Sequence, residues 1–187
     1  MTAKSIVAYS VVVAAAGLLL TKYIIAVGST ARGEDEVACS MLDAEQLETG
    51  APPFELPDMQ GKKQTLAALR GKVVLLHFWA TWCPPCIDEI PSLARLQQTM
   101  PAQDFSLVTV SVDEDEGKLR EFIAKHKPAA ALTVLRDPTK KVSSSYGTAK
   151  FPETFVVDRN GVVRYKFVYK RDWASPQALA CLRSTLR

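Results

Sequence analysis

The chain has 187 residues, 48% of them hydrophobic, and a net charge of +3. Lys4 and Lys22 carry two of those three surplus charges and no acidic residue precedes Glu34, so the rest of the chain is nearly neutral. That balance excludes a nucleic-acid surface, and the roughly 155 residues beyond the apolar N-terminus suit one domain with its own core.

Ser5 to Thr21 is uncharged and rich in Val, Ala and Leu; Lys22 interrupts it, and Tyr23 to Gly28 continue it. A membrane span needs about 20 apolar residues, with roughly 17–25 seen. Residues 5–28 are therefore predicted to form a single-pass transmembrane signal anchor, with residues 1–4 cytoplasmic and Lys22 snorkelling to the interface. A cleaved signal peptide, with Ala26 and Gly28 before the cut, is the alternative. Either reading exports the remainder. Residues 29–50, small and charged and followed by Ala51-Pro52-Pro53, read as a linker to a domain over 51–187.

Phe54 to Leu66 reads as a short hairpin turning near Asp58-Met59-Gln60-Gly61. Lys72 to Trp79 is a nearly continuous apolar run, which fits a strand buried on both faces. Ile87, Ile90, Leu93 and Leu96 recur at helical spacing between about Pro84 and Gln98. Pro84 and Pro85 fall in the first turn, where a missing N–H costs little, and Pro91 is expected to kink the helix.

Phe105 to Val112 is a second central strand. Asp113-Glu114-Asp115-Glu116 reads as carboxylates at the N-terminus of a helix running to about Lys127, not as a metal site. Ala131 to Leu135 is a strand and Asp137 to Tyr146 a short helix. Thr154 to Val157 and Val162 to Val168 flank Asp158-Arg159-Asn160-Gly161, a strong hairpin signal. Ser175 to Leu186 closes the chain as a helix, with Ser175 or Asp172 as its cap. The order describes an α/β fold with parallel central strands and an antiparallel end.

The chemistry concentrates at Trp82-Cys83-Pro84-Pro85-Cys86. Two thiols three residues apart at a helix start lie about 5 Å apart at Cα, within disulfide range. Unpaired N–H groups and the positive end of the helix dipole favour the Cys83 thiolate, the attacking species in disulfide exchange. Cys86, one turn inward, is then the resolving thiol. A zinc half-site would need two further ligands, and the only histidines are His77 and His126. No metal and no cofactor beyond the redox-active pair are expected.

Phe78-Trp79-Ala80-Thr81-Trp82-Cys83-Pro84-Pro85-Cys86 resembles the active-site segment of thioredoxin-fold proteins. Within them it is most similar to the TlpA/ResA/CcmG branch of membrane-anchored bacterial thiol–disulfide oxidoreductases. The resemblance spans about residues 51–187. Pro91 matches the kink proline, Phe151-Pro152-Glu153-Thr154 the segment holding the family's cis-proline, and residues 113–136 a helix-plus-strand insert of this branch. The implied fold is thioredoxin-like, with an N-terminal β-hairpin extension and that insert, preceded by the transmembrane helix. The resemblance also implies that Pro152 faces the dithiol and offers backbone pairing to an extended substrate. Trp82, Phe151 and Glu153 are the expected substrate-binding residues.

Plain thioredoxins carry a buried Asp where this chain has His77, and related reductases often carry a carboxylate where it has Glu89. Glu89 is the candidate acceptor of the Cys86 proton, the alternative being an exposed helix-surface glutamate. His77 either assists or is a hydrogen-bonded core residue. Cys39 and Cys181 complete an even total of four cysteines and are expected to form a structural bridge in an oxidising compartment, two free thiols being the alternative. Some members of the branch carry such an extra bridge.

The resulting expectation is a reductase anchored in the bacterial cytoplasmic membrane with its catalytic domain in the periplasm. Its partners would be a membrane electron donor of the DsbD or CcdA kind and substrates such as apocytochrome c or copper-site assembly proteins. Monomer is the default state. A disulfide donor on the same motif and a Cu(I)-binding chaperone are the competing readings.

Overall fold

The computed structural model describes residues 16–23 and 37–186. The chain divides into two units, Met1–Val37 and Ala38–Arg187. In the first, residues 16–23 are helical. Among the described residues no helix is long and apolar enough to cross a membrane. Most of the expected span over residues 5–28 lies outside the described residues.

The second unit is built on a six-stranded sheet. Its strands are β1 (Glu45–Gly50), β4 (Val73–Trp79), β5 (Phe105–Ser111), β6 (Val134–Arg136), β7 (Glu153–Val157) and β8 (Val162–Val168), in the order β1-β8-β7-β4-β5-β6. β2 (Glu55–Pro57) and β3 (Lys63–Thr65) form the separate hairpin expected over residues 54–66. β4 pairs in parallel with β5 and antiparallel with β7, so the parallel centre and antiparallel end are both present. All seven residues of β4 are buried, as its unbroken apolar run requires.

The expected linker through residue 50 is corrected here. Residues 45–50 form edge strand β1, paired antiparallel with β8. Its sequence, EQLETG, is polar and mostly exposed, so no alternation of apolar residues betrays it. The open backbone edge of β8 supplies the pairing instead.

Pleating sorts the core into two faces. Val73, Leu75, Val156 and Phe167 pack with Leu93 and Leu96 of helix α1 (Pro84–Thr99). α2 (Glu116–Lys125) and the short α3 (Lys127–Ala130) precede β6, completing the helix-plus-strand insert. On the opposite face Val74, Leu76, Phe78 and Phe155 pack with Tyr146, at the end of α4 (Lys141–Ser145), and with Phe54, Leu56 and Leu66 of the hairpin. α5 (Pro176–Ser184) closes on the α1 face through Ala178 and Leu182.

Local signals end these elements as the sequence indicates. Ser175 caps α5 by accepting from Ala178 N–H, and Asp115 caps α2 by accepting from Lys118 N–H. In the β7–β8 turn, Asp158 accepts from Asn160 and Val162 N–H, and Gly161 adopts the left-handed φ of 74° that the turn needs.

Cys39 and Cys181 are bonded to each other, both fully buried beside Trp173 and Leu182. The bridge pins the segment before β1 onto α5 and closes a loop spanning 142 residues. Chain-entropy arithmetic for a loop of that size gives about 5 kcal/mol as a ceiling. Replacing both residues (Cys39→Ala with Cys181→Ala) is expected to cost about 2–5 kcal/mol, read as a lower urea midpoint of the oxidised chain.

Candidate active site

The dithiol sits where β4 hands over to α1. β4 ends at Trp79, Cys83 is the N-cap of α1, and Cys86 lies one turn inside; the two are joined as a disulfide. Cys83 is 5% exposed and Cys86 fully buried, so an incoming sulfur can reach only the first. One expectation about Cys83 needs correction. Pro84 and Pro85 carry no N–H, and the N–H groups of Cys86 and Ile87 both donate to Cys83 O. In this oxidised form no free first-turn donor faces Cys83. The field of the helix is what remains to favour its thiolate.

The approach to Cys83 is apolar. Trp82 is 60% exposed and meets Phe151 edge to face, ring centroids 5.9 Å apart. Phe151 also packs against the cluster that contains both cysteines, and the Phe151–Pro152 peptide is cis. These two aromatics therefore border the disulfide from the nucleophile loop and the Pro152 loop. Trp79, by contrast, is core and packs on Phe122.

Glu153 does not join them. It lies beside Phe78 in the register of β7 on β4, on the sheet face opposite α1. Its side chain is buried, with Oε2 3.2 Å from Lys166 Nζ, an ion-pair distance without hydrogen-bond geometry. Its expected place in substrate binding is corrected by the pleat, which turns Thr154 and not Glu153 toward the dithiol face.

His77 and Glu89 both lie within the core on the α1 side. His77 Nδ1 is 2.9 Å from Thr154 Oγ1, and its Nε2 has no hydrogen-bond partner. Burial disfavours the imidazolium and lowers the His77 pKa to about 3, so the ring is neutral at physiological pH. Glu89 is 1% exposed, which removes the alternative of a surface glutamate. Its Oε1 accepts from Arg171 N–H at 2.9 Å and from Trp173 Nε1–H at 2.7 Å, while Oε2 has no hydrogen-bond partner. Burial raises the Glu89 pKa to about 7 against the opposing pull of these donors. Cys86 and Glu89 are three residues apart on the buried face of α1, neighbours on a helix surface.

Two further parts of the site escape sequence reasoning. Trp173 and Arg171 are 84 and 82 residues from the glutamate they hold, so no spacing signals them. Asp113, one of the carboxylates read as helix-start charges, is buried and accepts from Thr81 N–H, Thr81 Oγ1–H and Ser111 Oγ–H. It thereby anchors the nucleophile loop to the end of β5. A cleft of about 480 Å³ opens beside it, lined by Thr81, Trp82, Asp113 and Lys118 among others. Among the described residues no group of three or more His, Cys, Asp or Glu side chains is placed to hold a metal ion.

A sheet of this order with a Cys-x-x-Cys pair at the head of its buried-face helix defines a thioredoxin-like thiol–disulfide oxidoreductase. The AhpC/TSA family model matches residues 47–166, and the chain belongs to that family. It is 32% identical over 123 residues to the thiol-disulfide oxidoreductase ResA of Bacillus thuringiensis (strain Al Hakam), covering 65% of this chain and 70% of that protein. It is 34% identical over 117 residues to the thioredoxin-like protein YneN of Bacillus subtilis (strain 168), covering 61% and 66%. A solved structure described as a thiol:disulfide interchange protein DsbE from Chlorobium tepidum superposes with a TM-score of 0.69 at 33% identity, covering 75% of this chain and 98% of that one. The activity is thiol–disulfide exchange on protein substrates.

The two buried ionisable groups bend stability in opposite directions with pH. Between about 3 and 6.5 the unfolded chain protonates His77 and the folded one does not, so stability rises with pH across that window. Between 4.5 and about 7 the folded chain keeps the Glu89 proton that the unfolded one has lost, so stability falls as pH rises. Glu89→Gln is expected to abolish that fall and leave the His77 rise exposed, measured by urea unfolding from about pH 4 to about pH 8.

Proposed function

We propose that the Cys83–Cys86 pair works reductively, on disulfides of exported proteins. The observation that carries the mechanism is the buried carboxylate of Glu89, one turn beyond Cys86 on the same helix face, with one oxygen held and the other unpaired. The Cys83 thiolate attacks a substrate disulfide, forming a mixed disulfide and expelling the first substrate thiolate. The Cys86 thiol then passes its proton to Glu89 Oε2 and attacks Cys83 Sγ. The second substrate thiolate leaves, and Cys83–Cys86 is oxidised. With a pKa near 7, Glu89 is matched to proton exchange at neutral pH. His77, neutral across that range, packs and orients through Thr154 and transfers no proton.

Trp82 and Phe151 form the apolar rim, and the Pro152 loop offers its backbone to an extended segment carrying the disulfide. The Cys39–Cys181 bridge is structural: full burial keeps it away from the exchange chemistry.

The uncharged run over residues 5–21 supports residues 5–28 as a single-pass anchor in the bacterial cytoplasmic membrane. The domain would then lie in the periplasm or outside the cytoplasm. Re-reduction there needs a membrane electron donor of the DsbD or CcdA kind, and apocytochrome c or copper-site assembly proteins are the proposed substrates.

Direction is decided by potential. The Cys83–Cys86 couple of the full-length chain, equilibrated in dithiothreitol buffers, is expected near about −270 mV, the thioredoxin value. A couple near about −120 mV would make the protein a disulfide donor.

A further inference from the structure

The segment after β8 makes more contacts with the active-site helix than a connecting loop requires. Lys170 pairs with Asp88 at 2.6 Å, and Arg95 reaches Asp172 at 3.4 Å. Trp173 N–H donates to Ser92 Oγ, and that hydroxyl in turn donates to Glu89 O. At its other end Tyr169 N–H donates to Pro152 O. Residues 169–173 thus link the Pro152 loop to α1, through Ser92 and Glu89 on its buried face and through exposed ion pairs at Asp88 and Arg95.

Within this segment Trp173 stands apart. Its indole is fully buried and edge-on to Phe167 at 5.2 Å between centroids, so packing constrains its orientation independently of Glu89. Its Nε1–H and the Arg171 N–H converge on one oxygen of Glu89 and leave the other bare. A carboxylate held in that way presents one oxygen without a hydrogen-bond partner for proton transfer.

We infer that Trp173 is a positioning residue for the exchange reaction: its indole N–H holds Glu89 Oε1 so that Oε2 is the proton-accepting atom. This rests on the reading of Glu89 as the acceptor of the Cys86 proton. The donor also stabilises the ionised carboxylate against burial, as do the charges of Arg171 and Lys170. The remaining charged or titratable neighbours are Asp88, bound to Lys170; Asp43, which acts on Arg171; the exposed Arg95–Asp172 pair; and the neutral His77 on the sheet face that carries α1.

The test isolates the resolving step. The reduced full-length chain is mixed with one equivalent of 5,5′-dithiobis(2-nitrobenzoate). Attack by Cys83 releases the first thionitrobenzoate and leaves a mixed disulfide. Attack by Cys86 releases the second, forms Cys83–Cys86 and sends the Cys86 proton to Glu89. The pH profile of this second release reads Glu89. Trp173→Phe is expected to move its midpoint upward by about one pH unit, because a hydrogen bond to the charged form is lost. In a Glu89→Gln background the same substitution is expected to move nothing. Replacing Trp173 by benzothienylalanine, which keeps the bicyclic shape and lacks the N–H, guards against loss of the fold and is expected to give the same shift.

An unmoved midpoint in both Trp173 variants, with the profile still abolished by Glu89→Gln, would overturn the inference and leave the Glu89 reading standing. A profile indifferent to Glu89→Gln would remove the Glu89 reading and the inference together.

Discussion

The handover from β4 to α1 is the constraint on which the rest of the molecule depends. β4 is buried on both faces and hydrogen-bonded on both edges, in parallel to β5 and antiparallel to β7. A fully buried Val, Leu or Phe side chain contributes about 1.5–3 kcal/mol, and a slip of this strand by one residue would turn every side chain to the opposite face and disrupt both packed layers at once. With the strand immovable, the first turn of α1 is placed at the carboxyl edge of the sheet, where open α/β sheets carry their sites. Cys83 retains a slight exposure and Cys86 lies beneath it because the helix enters the core at that point. The redox pair owes its asymmetry, one sulfur reachable and one protected, to this entry.

The same burial that fixes the strand also sets the proton chemistry. His77 and Glu89 share one side of the sheet, and the low-dielectric interior pushes both toward neutrality. For an imidazole that means a pKa far below the working range; for a carboxyl it means one within it. Burial thus keeps the histidine neutral and brings the glutamate's titration to neutral pH, two outcomes of one desolvation effect acting on groups of opposite charge type. The hydrogen bonds from Arg171 and Trp173 limit how far the carboxyl rises. Without them a fully desolvated acid would stay protonated and could accept nothing.

The segment from Tyr169 to Trp173 connects these events to the surface. It meets the Pro152 loop at one end and the buried face of α1 at the other, and Trp173 shares a core with the Cys39–Cys181 bridge. The side of the molecule that looks purely structural, with edge strand, bridge and closing helix, therefore supports the position of Glu89, the proposed proton acceptor. The opposite face has no such task. There Glu153 pairs with Lys166, and the hairpin covers the apolar side of the sheet.

By itself the sequence determined what local physics can encode. The dithiol at a helix start, the buried central strand, the Asp158–Gly161 turn and the caps of α2 and α5 each follow from residues within a few positions of one another. The family's Phe151-Pro152-Glu153-Thr154 segment was legible too, but not which of its side chains faces the dithiol, since a strand's two faces differ only once its register is set. Strand β1 was hidden because an edge strand can be held by backbone pairing alone, with polar side chains that carry no pattern. The environment of Glu89 was hidden more deeply. Its donors come from a loop more than 80 residues away, and its charge state depends on a solvent exclusion that exists only after α1, β8 and α5 have packed. Covalent spacing is written in the chain, whereas desolvation and long-range hydrogen bonding arise only when the chain has closed on itself.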